Sequence, residues 1–211
     1  MADILEKIAS KLYDGEDEEV AELVQSALDK GMAPGQILQG GLIAGMDQVG
    51  RDFKAGDLFV PEVLIAARAM RAGMNILRPL LADGESMTAG KFVIGTVKGD
   101  LHDIGKNLVK MMLEGAGFET VDLGTDVTPQ AFVNAVRDHR PTHVGMSALL
   151  TTTMVQMKAT VEALEEAGLR SSVKIMIGGA PVTVAYAKQI GADAYAPDAA
   201  SAVDIARGLA A

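Results

Sequence analysis

Cysteine and tryptophan are both absent from the 211 residues, and aromatic side chains make up only 4%. Without cysteine the chain cannot form disulfides, zinc–thiolate sites, iron–sulfur clusters or a thiol nucleophile. Acidic residues outnumber basic ones by 28 to 19, so the net charge of −9 opposes binding to nucleic acid and to anionic membrane surfaces. The chain has no apolar run approaching about 18 residues and its start lacks a signal-peptide pattern, so we expect a cytoplasmic protein.

Hydrophobic periodicity changes part-way along the chain. In residues 1–83 the apolar side chains recur at helical spacing, and turn residues such as Gly31 and Pro61 separate the segments. This pattern predicts a helical cap domain that is a four-helix bundle. Residues 84–90 are polar and turn-rich, which predicts a linker.

From residue 91 to 211, short apolar runs alternate with helical segments in five strand–helix units. This order indicates an α/β domain with a doubly wound, five-stranded parallel sheet of the flavodoxin-like (Rossmann-type) class, in strand order 2-1-3-4-5. Ligands of such sheets bind where the winding reverses, at the carboxyl ends of strands 1 and 3. The loops after Val97 and Met146 are therefore predicted to hold the site, and the helix after strand 3 is expected to begin near Thr153.

The loop after strand 1 carries an aspartate and a histidine two residues apart, Asp100 and His102. The carboxylate could accept a hydrogen bond from Nδ1–H of the imidazole, leaving Nε2 to bind a metal. Gly105 would let a bulky ligand approach the next helix. The alternatives are a solvated histidine and an aspartate, Asp100 or Asp103, that only caps the helix. The glycine spacing, with Asn107 where Ser or Thr is needed, excludes a phosphate loop.

Hydroxyl side chains follow strand 3 at Ser147 and residues 151–153, and two glycines, Gly178 and Gly179, follow strand 4. The hydroxyls could line a polar tunnel, or one threonine could cap the following helix. The glycines could leave room for a flat group, or they could make an ordinary tight turn. Together with His102, these loops suit a large, flat, metal-bearing cofactor whose tail inserts beside the sheet.

Three motifs in these loops carry a family resemblance: D-x-H-x-x-G at residues 100–105, S-x-L at 147–149 and G-G at 178–179. The chain resembles, along its whole length, the corrinoid proteins of methyltransferase systems that use methylamines, methanol, betaines or methoxylated aromatics. It is also similar to the cobalamin module of methionine synthase. The resemblance implies that cobalamin binds with its benzimidazole displaced from cobalt and its tail buried beside the sheet. The cofactor contacts that it implies in this domain are Gly99, Asp100, Leu101, His102, Asp103, Gly105, Ser147, Leu149, Thr151, Thr153, Gly178, Gly179 and Ala199.

The resemblance implies particular roles for some of these residues. His102 would be the metal ligand, on the lower axial side of cobalt, and Asp100 would orient it. Thr153 would be the third member of this relay, in place of the serine of methionine synthase. Ser147 and Thr151 match positions that touch the buried tail.

The resemblance also implies contacts from the cap domain. Phe53 and Val60 match apolar residues that cover the methyl face of the cofactor, and Gln39 falls where methionine synthase has a glutamate. The third predicted helix is rich in glycine, at positions 40, 41 and 45, and a helical domain with such a helix could lie close over the flat ring.

The function implied is that of a methyl carrier without a catalytic residue of its own. Cobalamin or a related corrinoid would take a methyl group as cob(I)alamin on a substrate-specific methyltransferase, and would deliver it as methylcobalamin to a methyl-acceptor methyltransferase. A reductive activation protein is the third expected partner. A corrinoid storage or sensory module without methyl transfer is the main alternative, and a metal hydrolase using Asp100, His102 and Asp103 is another.

Overall fold

The computed structural model describes residues 2–81 and 89–210, which divide into two compact units. The first unit contains the described residues up to 81 together with Glu114–Gly117, and the second contains Ala89–Leu113 and residues 118–210. Of the predicted linker, residues 84–88 lie outside the described residues. Among the helices that are described, none is long and apolar enough to cross a membrane.

The first unit is helical, as the spacing of its apolar residues predicts. Its core consists of the apolar faces of these helices, for example Leu12, Val24 and Leu42, which are fully buried. A π-helical turn, Leu38–Ile43, interrupts the third predicted helix, and a short 3-10 turn, Arg78–Leu80, follows the last helix. The α-helices are α1 Ala2–Tyr13, α2 Asp17–Asp29, α3 Pro34–Ile37, α4 Ala44–Ala55 and α5 Val60–Leu77.

The glycines of the third predicted helix serve packing against α1. A Cβ added at Gly40, Gly41 or Gly45 would stand 2.8 or 2.9 Å from atoms of α1. Only glycine allows two helices to approach this closely at those positions. These glycines are therefore explained by packing within the helical unit, and the expectation that this domain lies over a flat ring stays a prediction.

The second unit is a five-stranded parallel sheet in the order β2-β1-β3-β4-β5, which confirms the predicted topology. The register sets the carboxyl ends level, since Thr96 pairs with Ser147 and Ser147 pairs with Gly178. The loops after β1, β3 and β4 therefore start from one edge of the sheet. The strands are β1 Gly90–Thr96, β2 Phe118–Asp122, β3 His143–Ser147, β4 Lys174–Gly178 and β5 Ala194–Ala196. The α-helices are α6 Ile104–Gly115, α7 Pro129–His139, α8 Thr151–Glu166, α9 Val184–Ile190 and α10 Ala199–Ala210, and a 3-10 turn, Arg170–Ser172, precedes β4.

Two element boundaries differ from the predicted ones. β1 begins at Gly90, inside the predicted linker, because Gly90 already pairs with Phe118 of β2. Helix α8 begins at Thr151, two residues before the predicted start, so the threonines lie in its first turn and not in the loop.

The core of the sheet is apolar on both faces, as expected for a parallel sheet covered by helices. At the amino end of β3 the fully buried His143 stacks on Phe92, with ring centroids 5.4 Å apart. Burial lowers the pKa of His143, so it is neutral near pH 7. His143 lies at the opposite end of the strand from Ser147 and takes no part in the carboxyl-end site.

Candidate functional site

Asp100 is the centre of a hydrogen-bond network at the carboxyl edge of the sheet. Its Oδ1 accepts from the backbone N–H of His102 at 3.1 Å and lies 2.7 Å from Nδ1 of the same residue. Its Oδ2 accepts from the N–H of Leu149 at 2.8 Å and from the Thr153 hydroxyl at 2.6 Å. The carboxylate thus joins the loop after β1 to the loop after β3 and to the first turn of α8. The predicted hydrogen bond between Asp100 and His102 is present.

Asp100 is held as an anion. Its side chain has no solvent exposure, and burial by itself raises the pKa. The hydrogen bonds from Thr153, Leu149 and His102 outweigh burial and hold the pKa of Asp100 well below its ordinary value. The carboxylate also lies at the amino end of α8, where the helix dipole favours negative charge.

Thr153 has the relay position that the resemblance implies, but no threonine caps α8. The residue before the helix is Leu150, which offers no side-chain cap, and the buried Thr153 is the third residue of the helix. Its hydroxyl also lies 3.0 Å from the carbonyl oxygen of Leu150. The capping alternative for the threonines is therefore wrong for the residues described. Thr151 lies exposed in the same turn.

His102 presents one free ring nitrogen to solvent. Its side chain is 52% exposed, and Nδ1 is engaged by Asp100. A carboxylate can only accept, so Nδ1 carries the proton in the neutral ring and Nε2 keeps a lone pair. Nε2 has no hydrogen-bond partner among the residues that the structure describes. An oriented imidazole with an open Nε2 could hold a metal ion.

Exposed apolar side chains lie next to His102 after β1 and on the loop after β3. Leu101 and Ile104 are 74% and 81% exposed, and Leu149 and Leu150 are also exposed. A Cβ added at Gly105 would meet nothing within 4 Å, so the start of α6 is open, as predicted for a bulky ligand. These residues fit a large apolar ring bound through His102.

The two glycines after β4, Gly178 and Gly179, have a structural role. A side chain at Gly179, where φ is +121°, would overlap the carbonyl oxygen of Ala148 in the loop after β3. A Cβ at Gly178 would stand 3.1 Å from the Ala196 carbonyl oxygen. Gly179 is therefore required by the close approach of neighbouring backbone, as in the tight-turn alternative, and contact of Gly178 and Gly179 with a cofactor stays a prediction. Gly99, with φ of +81°, is needed for the turn after β1.

The remaining predicted contacts lie in several places. Ser147 ends β3 at the carboxyl edge, and Ala199 is the buried first residue of α10, after β5. In the first unit, Phe53 lies in α4 and the partly exposed Val60 begins α5, while Gln39 lies exposed in the π-helical turn. Asp103 accepts a hydrogen bond from the Asn107 side chain at 3.0 Å and makes none to His102.

Sequence reasoning missed two groups that support the loop. Thr96 donates its hydroxyl proton to the His102 carbonyl oxygen at 2.9 Å, and Asp126 accepts from the Gly99 N–H at 2.7 Å. The buried Lys106 also forms an ion pair with Asp122, at 2.7 Å. Asp126 has a positive φ of 55°, which is uncommon for a residue other than glycine. This backbone angle is visible in the structure and cannot be read from the sequence.

Two protein families match the two parts of the chain. Residues 90–204 match the B12 binding domain, and residues 4–78 match a second B12 binding domain family. The chain belongs to the B12-binding corrinoid proteins. Its cofactor is accordingly a corrinoid.

Relatives of this corrinoid protein match it over nearly their whole length. It is 41% identical over 206 residues to a corrinoid protein of Desulfitobacterium hafniense, covering 96% of this chain and 95% of the relative. It is 43% identical over 209 residues to trimethylamine corrinoid protein 1 of Methanosarcina acetivorans, covering 98% and 97%. The resemblance seen in the sequence motifs is thereby confirmed.

Solved structures agree with this assignment. A cobalamin-binding protein from Desulfitobacterium hafniense superposes with a TM-score of 0.81 at 35% identity, covering 97% of this chain and 98% of that one. The methanol:cobalamin methyltransferase complex MtaBC from Methanosarcina barkeri contains a chain with a TM-score of 0.89 at 32% identity, covering 99% of this chain and 80% of that one. The hydrolase alternative finds no support, since no three His, Asp or Glu within residues 2–81 and 89–210 form a metal-binding cluster.

Proposed function

We propose that this corrinoid protein is a cytoplasmic methyl carrier, which docks in turn on a substrate-specific methyltransferase and on a methyl-acceptor methyltransferase, and which a reductive activation protein restores. The observation that carries the proposal is the relay Thr153–Asp100–His102, which ends in an open Nε2. When bound, the corrinoid supplies the cobalt that accepts and releases the methyl group. The chain's residues hold and orient that cofactor, and the partner enzymes position the organic reactants.

The relay would let His102 bind or release a metal while its ring orientation stays fixed. The Asp100 carboxylate holds the imidazole through Nδ1, and such a partner strengthens a bond from Nε2 to a metal. Because Nδ1 stays bonded to Asp100, the ring keeps its orientation when Nε2 leaves the metal. His102 could thus hold the metal or release it without losing its orientation.

Histidine ligation is tested with His102→Ala, and His139→Ala serves as a matched control on the exposed end of α7. The wild-type protein reconstituted with cobalamin is expected to show nitrogen coupling in its cobalt(II) EPR spectrum, with the benzimidazole displaced. His102→Ala should lose that coupling and His139→Ala should keep it. Unchanged coupling in His102→Ala would remove His102 as the ligand.

The carrier role is tested with purified, cobalt(I)-loaded protein. Alone, it should keep its cobalt(I) absorption for minutes in the presence of methylamines, methanol or methoxyarenes, because the predicted site residues include no acid to activate a leaving group. Addition of the cognate methyltransferase should remove that absorption. Efficient demethylation by the chain alone would contradict the carrier role. A corrinoid complex that no methyltransferase can methylate would favour the storage or sensory alternative.

The methyl donor is open among methylamines, methanol, betaines and methoxyarenes. Several relatives, at 43 to 44% identity, are named trimethylamine or dimethylamine corrinoid proteins. Methyltransferases for methylamines are therefore the first to be assayed, with methanol methyltransferases second.

A further inference from the structure

The backbone of the His102 loop is fixed by a residue at the end of β1. Thr96 is completely buried, and its hydroxyl donates to the His102 carbonyl oxygen at 2.9 Å. Thr96 is the last residue of the strand, so the rigid sheet holds this donor in place. The bond acts on the peptide group of the same residue whose ring carries the open Nε2.

A second residue holds the other end of the loop. The carboxylate of Asp126 accepts from the Gly99 N–H at 2.7 Å, and the Asp126 N–H donates to the Asp100 carbonyl oxygen at 3.0 Å. These two bonds form a closed ring between the loops after β1 and β2. Asp126 adopts a left-handed φ of 55° to make both, a conformation that only glycine, asparagine and aspartate tolerate readily.

The loop that carries Asp126 is itself tied to β1. Thr96 donates its N–H to the Gly124 carbonyl oxygen, and the Val127 N–H donates to the Thr96 carbonyl oxygen, each at 2.9 Å. The N–H of Gly124 in turn donates to the Asp122 carboxylate at 2.9 Å. Thr96 and Asp126, which we call the loop clamp, therefore hold residues 99–102 from two sides of a single rigid frame.

We propose that the loop clamp positions His102 for cobalt and sets the fraction of molecules in which the histidine is bound. This inference rests on the proposed function, in which His102 is the axial ligand. A loop with one defined conformation keeps Nε2 in place, whereas a loop with several conformations lowers apparent ligation by the fraction that is incompetent. Thr96 and Asp126 are positioning residues that act through the backbone of His102.

The variants remove the side-chain hydrogen bond of each clamp residue. Thr96→Val removes the hydroxyl donor, and Thr96→Ser restores it. Asp126→Gly removes the acceptor while tolerating positive φ, and Asp126→Asn restores an acceptor oxygen. Thr160→Val is the matched control, because Thr160 is also fully buried and donates to a backbone carbonyl, that of Gln156 within α8.

The readout is the ratio of nitrogen-coupled to uncoupled cobalt(II) in the EPR spectrum of the loaded full-length protein. Loss of one of these loop hydrogen bonds should lower this ratio about five-fold in Thr96→Val or in Asp126→Gly. The double variant should lower it further, by about twenty-five-fold if the two free-energy effects add. Thr96→Ser and Asp126→Asn should return most of the wild-type ratio, and Thr160→Val should keep it. Thermal unfolding of the apoprotein monitors general loss of structure.

The outcomes separate this inference from the proposed function. If His102→Ala loses the nitrogen coupling while both clamp variants keep the wild-type ratio, the clamp is refuted and His102 remains the ligand. If His102→Ala keeps the coupling, the ligand assignment is refuted, and the clamp with it. An equal fall of the ratio in Thr160→Val would show that loss of a buried threonine hydroxyl away from the loop lowers histidine ligation just as much, which also refutes the clamp.

Discussion

Replacing Asp100 by asparagine should destabilise the apoprotein by about 3 kcal/mol. The carboxylate accepts four hydrogen bonds, two on each oxygen, and its side chain is fully buried. In asparagine one oxygen becomes an NH₂ group, which must face a backbone N–H, either that of Leu149 or that of His102. A buried N–H without an acceptor costs about 1–3 kcal/mol, and the remaining bonds lose their charge assistance. The Thr153 hydroxyl can recover part of this by turning to the Leu150 carbonyl oxygen.

The assay is urea unfolding of apoprotein, with Asp138→Asn on the exposed face of α7 as the matched control. The pKa of Asp100 is lowered by folding, so its contribution is present above the ordinary carboxyl pKa of about 3.9 and is lost as the pH falls below that value. The difference between wild type and Asp100→Asn should therefore shrink from pH 5 towards pH 3. A variant within about 0.5 kcal/mol of wild type at pH 7 would refute the four-bond account of Asp100.

Three further predictions concern regions away from the relay. Folding lowers the pKa of His143, so the free energy of unfolding should fall as the pH drops from about 7 to 5. In urea unfolding, His143→Leu should flatten this pH dependence. Replacing the exposed His139 should leave it unchanged. Arg170 donates to the Gly191 carbonyl oxygen at 2.6 Å, at the amino end of β4, so Arg170→Ala should cost about 1–2 kcal/mol in unfolding yet leave corrinoid affinity, measured by absorbance titration, unchanged. Residues 91–211 alone should bind corrinoid through the strand-end loops; a folded fragment that binds none would show that the helical unit carries the affinity.

The sheet and its ligand-binding edge were predictable because they follow from local patterns. Apolar runs alternating with helical segments define the strands, and the right-handed crossover rule limits their order. Asp100 and His102 are separated by one residue, so their hydrogen bond is a local feature of one loop. Helix starts were less predictable, since α8 has Leu150 before its first residue and no side-chain cap to mark the boundary.

The sequence by itself determined the two-part organisation, the strand order and the histidine with its carboxylate. The resemblance implied Thr153 as the third member of the relay, but only the tertiary structure shows its bond to Asp100 and the residues that support the loop. Thr153 is 53 residues from Asp100, and Asp126 is 27 residues from Gly99, so these contacts depend on strand register and not on spacing along the chain. The same register brings the Ala148 carbonyl oxygen against Gly179, a contact that the sequence pattern does not reveal. Neighbours across a parallel sheet are distant in sequence, because each pair of strands is joined by a helical crossover.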